Sequence, residues 1–208
     1  MSTAVSSTPL LVVITAPSGV GKSTLCDNMR SALPDVSRAV TCTTREPRSG
    51  EVEGVDYYFL GEEEFLARVD SDEFLENASV HGNHYGVLKS ELRAKLEGGS
   101  DVLLNIDVQG AATIRERAAT DPVLSRSLLT VFLCPPSVKE LEYRLRGRGT
   151  DTNEAIEKRL TNAKDETAQA GKFDHMLTSQ TREADAGRLL GIIESVRLDK
   201  REAILTNE

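Results

Sequence analysis

Nine consecutive residues, Ala16-Pro17-Ser18-Gly19-Val20-Gly21-Lys22-Ser23-Thr24, place two glycines, a lysine and several hydroxyls directly after an apolar run. Glycines in such a turn let backbone N–H groups point inward around phosphate oxygens, and the helix that follows adds its positive end. At this spacing Lys22 reaches the β- and γ-phosphates of a nucleoside triphosphate, and the Ser23 hydroxyl ligates Mg²⁺. The strict phosphate-loop pattern has glycine where Ala16 stands, a one-position departure. The order strand, Gly-x-Gly-Lys-Ser, helix favours the phosphate loop over a plain glycine turn.

Other residues could serve the same anionic chemistry. Asp107 follows the run Val102 to Ile106, where it is either a second acidic position ordering Mg²⁺ and its waters or an ordinary turn residue. Arg45 and Arg48 lie three apart, while Arg144, Arg146, Arg148 and Arg159 surround a glycine-punctuated segment. Guanidinium forks match phosphate oxygens with two parallel donors, although Arg146 reads better as a solvated surface residue. His81 and His84 have a ligand-like spacing but no third or fourth partner nearby, so they are read as a turn rather than a metal site. Glu62, Glu63 and Glu64 suit the first turn of a helix.

These groups need a scaffold. Leu10 to Thr15, Val102 to Ile106 and Leu128 to Leu133 are continuous apolar runs of the kind buried in a parallel sheet. A helix is expected from Ser23 to about Leu33 and another over Ala111 to Ala119. The spacings Val138, Leu141, Leu145 and Leu189, Leu190, Ile193, Val196 give two more. Strands alternating with helices imply a doubly wound α/β fold with a parallel core flanked by helices. Two stretches break the alternation. Residues 41–87 are turn-rich and hold three of the four tyrosines, which suggests an inserted subdomain; residues 146–159 are polar and suggest a mobile lid. The core is then 9–40, 88–145 and 160–208, all within one domain.

Composition excludes several classes. The 208 residues carry 25 Lys and Arg against 33 Asp and Glu, a net charge of −8, so general nucleic-acid or membrane-surface binding is not expected. Cys26, Cys42 and Cys134 are widely spaced, giving neither a disulfide framework nor a zinc cassette and fitting a reducing compartment. The residues before Leu10 contain no Lys or Arg, unlike a signal peptide, and the longest apolar run is too short for a bilayer; a cytoplasmic location is expected.

The phosphate loop is followed in order by Thr43-Thr-Arg-x-Pro-Arg-x-Gly-Glu51, Gly54-x-Asp-Tyr57, Phe74-x-Glu76, Gly82-Asn-x-Tyr-Gly86, Ile106-Asp-x-Gln-Gly110, Pro135-Pro-Ser137 and Arg146-Gly-Arg-Gly-Thr150. This series resembles the guanylate kinases, P-loop nucleoside monophosphate kinases, over nearly the whole chain. The resemblance implies transfer of a phosphoryl group from ATP to GMP, and to dGMP, with Mg²⁺ as cofactor and the two nucleotides as partners. Monomer and homo-oligomer both fit. It implies that Arg45, Arg48, Tyr57 and Tyr85 bind the GMP phosphate, that Glu76 receives guanine N1–H and the 2-amino group, and that Thr41 stands on guanine O6. It also puts Asp107 near the acceptor base, and Lys22, Arg45, Arg144, Arg148 and Arg159 around the transferred group.

Three positions depart from the family pattern. Val87 replaces the usual Ser or Thr that donates to guanine O6, Asn105 replaces an acidic residue near Mg²⁺, and Thr178-Ser-Gln180 replaces an Asn-rich stretch beside adenine. Guanylate-kinase-like domains also act as peptide-binding modules, typically without the phosphate loop; its retention here favours the enzyme. A kinase for another phosphorylated acceptor, such as a ribose phosphate, is disfavoured by Glu76 and the tyrosine pair.

Overall fold

The computed structural model describes residues 8–33, 36–80, 82–147 and 152–205. Its larger sheet is five-stranded and parallel, in the order β2-β7-β1-β8-β9. These strands are β1 (Leu11–Thr15), β2 (Val36–Arg38), β7 (Asp101–Asn105), β8 (Leu128–Cys134) and β9 (His175–Thr178). The central β1 is buried along its whole length, which is why it reads as an unbroken apolar run rather than an alternation. Leu10, Val12 and Ile14 face one layer with Leu25, Met29, Leu189 and Ile193, while Leu11 and Val13 face the other with Leu92, Leu96 and Ile114.

The layers come from α1 (Lys22–Ala32), α3 (Lys89–Glu97), α4 (Val108–Ala118), α5 (Pro122–Ser127), α6 (Val138–Arg146), α7 (Asn153–Thr167) and the long α8 (Arg182–Leu205). Helix α4 begins three residues earlier than its apolar pattern indicates, because the Asp107 carboxylate caps it by accepting from Gln109 N at 3.0 Å and Gly110 N at 2.8 Å. Val138, taken from its spacing as a core residue, is 50% exposed; Leu141 and Leu145 alone anchor α6 in the core. Among the described residues no helix is long and apolar enough to cross a membrane.

A second, four-stranded sheet has the order β4-β3-β6-β5, formed by β3 (Thr41–Thr43), β4 (Tyr57–Phe59), β5 (Phe74–Val80) and β6 (Asn83–Leu88). Its two faces have different chemistry. One packs Cys42, Phe74, Tyr58 and Leu88 under α2 (Glu62–Asp70), whose Phe65 is fully buried and stacks on Phe74 at 4.4 Å. Burial pushes the Cys42 thiol up to about 12, so it is an inert core residue. The other face turns Tyr57, Thr41, Val87 and Glu76 toward the larger sheet, in consecutive cross-strand pairs. The three glutamates at the start of α2 complement its dipole. Between α2 and β5, Asp72 accepts from Arg117 Nη2 at 2.8 Å and Lys89 Nζ at 2.6 Å, which ties the small sheet to α3 and α4.

Gly86 shows how tightly the small sheet is closed. A Cβ there would lie 2.7 Å from Phe74 Cδ1 and 3.1 Å from the Glu76 carbonyl oxygen. Since Phe74 is held between the strands and Phe65, Gly86→Ala is expected to cost about 1–3 kcal/mol. Urea unfolding should show a lower midpoint at unchanged slope; an unchanged midpoint would mean that the Phe74 ring has space to move.

Candidate functional site

The ends of β1 and β7 open onto a cleft of about 490 Å³ between the two sheets. Lys22 and Ser23 stand on one side of it, Asn105, Ile106 and Asp107 at its base, and Thr41, Tyr57, Glu76, Tyr85 and Val87 on the other side. Local and long-range causes combine to make it.

The phosphate-loop residues form the expected turn. Gly19 and Gly21 have φ of 96° and 115°, in the left-handed region where a side chain is strained. Gly19 has a second role: a Cβ on it would sit 2.7 Å from Leu145 Cδ2, so its lack of a side chain lets α6 pack against the loop. Helix α1 starts at Lys22 with neither a side-chain cap nor an acidic residue in its first turn. The other described α-helices have one or the other. Its first N–H groups, which lack intrahelical acceptors, are therefore left for an anion. Ala16 is buried, and its methyl group joins the core beneath the loop.

Lys22 Nζ donates to the Ile106 carbonyl oxygen at 2.7 Å. Burial lowers its pKa from the ordinary lysine value, while the neighbouring Cys26, Asp107 and Glu166 charges act in the opposite direction. Ser23 is exposed beside it and Asn105 is exposed at the end of β7. No group of three or more His, Cys, Asp or Glu residues that could hold a metal occurs among the described residues. The exposed Ser23 hydroxyl at the uncapped start of α1 suits Mg²⁺, which retains waters and takes phosphate oxygens.

Glu76 is the most perturbed group in the cleft. It is 6% exposed, and no hydrogen bond to its carboxylate occurs among the described residues. Burial, reinforced by the Asp107 charge, raises its pKa to about 7. A register shift on β5 between Phe74 and Glu76 aims it: Phe74 pairs with Leu88 and Glu76 with Val87, so residues two apart face opposite sides of the sheet. Such bulges re-aim single side chains.

Several expected site residues are placed differently from a simple ring around the phosphates. Arg45 Nη2 donates to both carboxylate oxygens of Glu51, at 2.8 and 3.0 Å, and its guanidinium lies 5.4 Å over the Tyr57 ring. Tyr57 and Tyr85 meet edge to face at 6.3 Å. Arg48 is exposed, and it is its backbone N–H that donates to Glu51 at 2.7 Å. Arg144 reaches the phosphate loop from outside: Nη1 donates to the Val20 carbonyl at 3.0 Å and to Ser179 Oγ at 3.1 Å, with Nε on Glu140. Arg159 Nη1 donates to Ser18 Oγ at 3.1 Å. Arg146 pairs with Glu142 and Asn153 on the surface. Arg148 and His81 lie outside the described residues. Val87 is 1% exposed and packs in the apolar cluster of Leu75 and Leu92 while bordering the cleft.

Sequence reasoning did not single out Ser179 as a partner of the phosphate loop, nor Glu166 as an acid near Lys22. Ser179 is separated from Val20 by 159 positions, and only burial distinguishes Glu166, whose pKa is raised.

The raised Glu76 pKa has a stability consequence. Between the ordinary glutamate value and about 7 the folded chain holds a proton that the unfolded chain has lost, so stability falls as pH rises through that window. At most this amounts to roughly 3 kcal/mol. Glu76→Gln removes the effect: relative to the unaltered chain, the variant should gain stability between pH 5 and pH 8, as measured by urea unfolding. A stability difference that stays constant with pH would show that Glu76 does not titrate there.

Known proteins are similar to this chain over most of its length. The family model described as guanylate kinase matches residues 8–196. A guanylate kinase of Bifidobacterium longum is 45% identical over 88% of this chain and 92% of its own length. One from Prochlorococcus marinus is 42% identical over 89% and 97%. Among solved structures, the guanylate kinase of Anaplasma phagocytophilum superposes with a TM-score of 0.69 at 30% identity, covering 92% of this chain and 87% of that one.

Proposed function

The chain belongs to the guanylate kinase family, and on that premise we propose how its own residues divide the work of phosphorylating GMP with ATP. The enzyme transfers the γ-phosphoryl group of ATP to GMP, giving ADP and GDP. The observation that carries the division of labour is the cleft itself, which opposes an uncapped helix end and Lys22 to a buried carboxylate that accepts no hydrogen bond among the described residues.

Residues 16–24 take the ATP phosphates, with backbone N–H groups and Lys22 supplying positive charge. Bound through phosphate oxygens and Ser23, Mg²⁺ would neutralise charge on the β- and γ-phosphates. The small-sheet residues 41–87 take GMP. Tyr57 and Tyr85 bring two hydroxyls to its phosphate, and Arg45, oriented by Glu51, brings a guanidinium that Arg48 supplements. Glu76 accepts guanine N1–H and the 2-amino group; adenine presents no such pair of donors on that edge. Thr41, beside Val87 in the sheet register, is the hydroxyl nearest to the role that Val87 does not fill. Asp107 fixes α4 and adds negative charge between Lys22 and Glu76. Arg144 and Arg159 hold the loop through the Val20 carbonyl and the Ser18 hydroxyl. dGMP is a second acceptor, since none of these assigned contacts uses the 2′-hydroxyl. We place the enzyme in the cytoplasm.

Because transfer depends on positioning and charge, no histidine base is required. Lys22→Ala should lower kcat by about 10²-fold or more, while calorimetry shows GMP binding close to that of the unaltered chain. Equal losses in both would mean that donor and acceptor sites are not separate. Glu76→Gln keeps one acceptor but puts an amide donor against the guanine donors, for an expected loss of roughly 2 kcal/mol or more in GMP discrimination. In the unaltered enzyme kcat/KM for GMP should fall below about pH 7 as Glu76 takes a proton, and the Gln variant should lack that limb. A panel of GMP, dGMP, AMP, UMP, CMP and ribose phosphates reads both effects; unchanged preference for GMP over AMP would remove Glu76 from base recognition.

A further inference from the structure

Gly110 is the third residue of α4, buried, with its N–H already donated to Asp107. A Cβ built on it would lie 2.9 Å from Glu76 Oε2, closer than side-chain carbons approach an oxygen unless something moves. Its other nearest atoms, Ile106 Cβ and Cδ1, would stand at 3.4 Å, which is ordinary contact. The carboxylate thus lies in the space that any side chain at 110 would take. The helix has no easy retreat, because Asp107 caps its first turn and Ala111 and Ile114 are fully buried against the large sheet. The group that yields must be the carboxylate. On the opposite side the β5 bulge fixes where its backbone starts.

We propose that Gly110 is a positioning residue that sets guanine selectivity by leaving room for the Glu76 carboxylate against the first turn of α4. The inference rests on Glu76 as the base-reading group. Gly110 makes no contact with substrate in this account; it acts through the reach of another residue. Its lack of a side chain is not a backbone requirement, since it is an ordinary helical residue without a positive φ, and helix propensity by itself favours alanine there.

That sign difference makes the inference testable with four proteins: the unaltered enzyme, G110A, E76A and the double variant. G110A is expected to raise KM for GMP about tenfold and to leave KM for ATP unchanged; because the yielding atom is the end of a flexible side chain, the melting temperature should change little. With E76A the clash is gone, so adding G110A should leave KM for GMP where E76A put it and hold or raise the melting temperature. A G110A chain that fails to fold on its own but folds once E76A is added gives the same result. Equal effects of G110A in both backgrounds would overturn the inference, because the glycine would then serve helix packing alone. If E76A leaves the preference for GMP over AMP intact, the base-reading role and this inference fall together; if E76A abolishes it and G110A is additive, only the inference falls.

Discussion

The bond from the Lys22 ammonium to the Ile106 carbonyl joins the two strand ends on which the site is built. Lys22 begins the helix after β1, and Ile106 follows β7, which pairs with β1 in parallel register. Because parallel neighbours end on the same side of a sheet, the phosphate loop and the Asp107 cap emerge together. The ammonium is thereby held in the cleft, at the cost of desolvation that its acidic neighbours partly offset. Asp107 serves both ends: it caps α4, and its charge is felt by Lys22 on one side and Glu76 on the other.

The two sheets contribute in different ways. The large one is a buried platform whose strand ends deliver backbone and charge. The small one works by its faces, with one packed on α2 through Phe65 and Phe74 and the other carrying Thr41, Tyr57, Tyr85 and Glu76 toward the cleft. Two of its four strands have only three residues and little stability alone, so the aromatic stack and the Asp72 ties to Lys89 and Arg117 hold that face in place.

Much of this architecture is readable from the chain because it is local. The phosphate loop is nine adjacent residues, and β1, β7 and β8 are continuous apolar runs because both faces of the large sheet are covered. What could not be read depends on tertiary placement. Asp107 could order Mg²⁺ or end a turn on its local pattern, and only the following N–H groups show it to be a cap. Arg144 carries the right charge for a phosphate, yet its fork is directed by Ser179 and the Val20 carbonyl, residues far away in sequence. The bulge that turns Glu76 away from Phe74 has no signature in Phe-Leu-Glu, and Val87 gives no sign that it belongs to the core as well as to the cleft wall.

Buried polar groups without partners are costly, and proteins satisfy nearly all of them. Here α4, α5, α6 and α7 each receive a side-chain cap, and Arg45 is paired with Glu51. Against that background the unsatisfied groups around the cleft are informative. Among the described residues the start of α1 has no side-chain cap, and the Glu76 carboxylate accepts no hydrogen bond. Their signs are opposite, so no single anion or cation could complete both. A ligand set that brings phosphate oxygens to one side and a paired N–H edge to the other satisfies the two together, and the energy withheld from folding at these places becomes available for recognition.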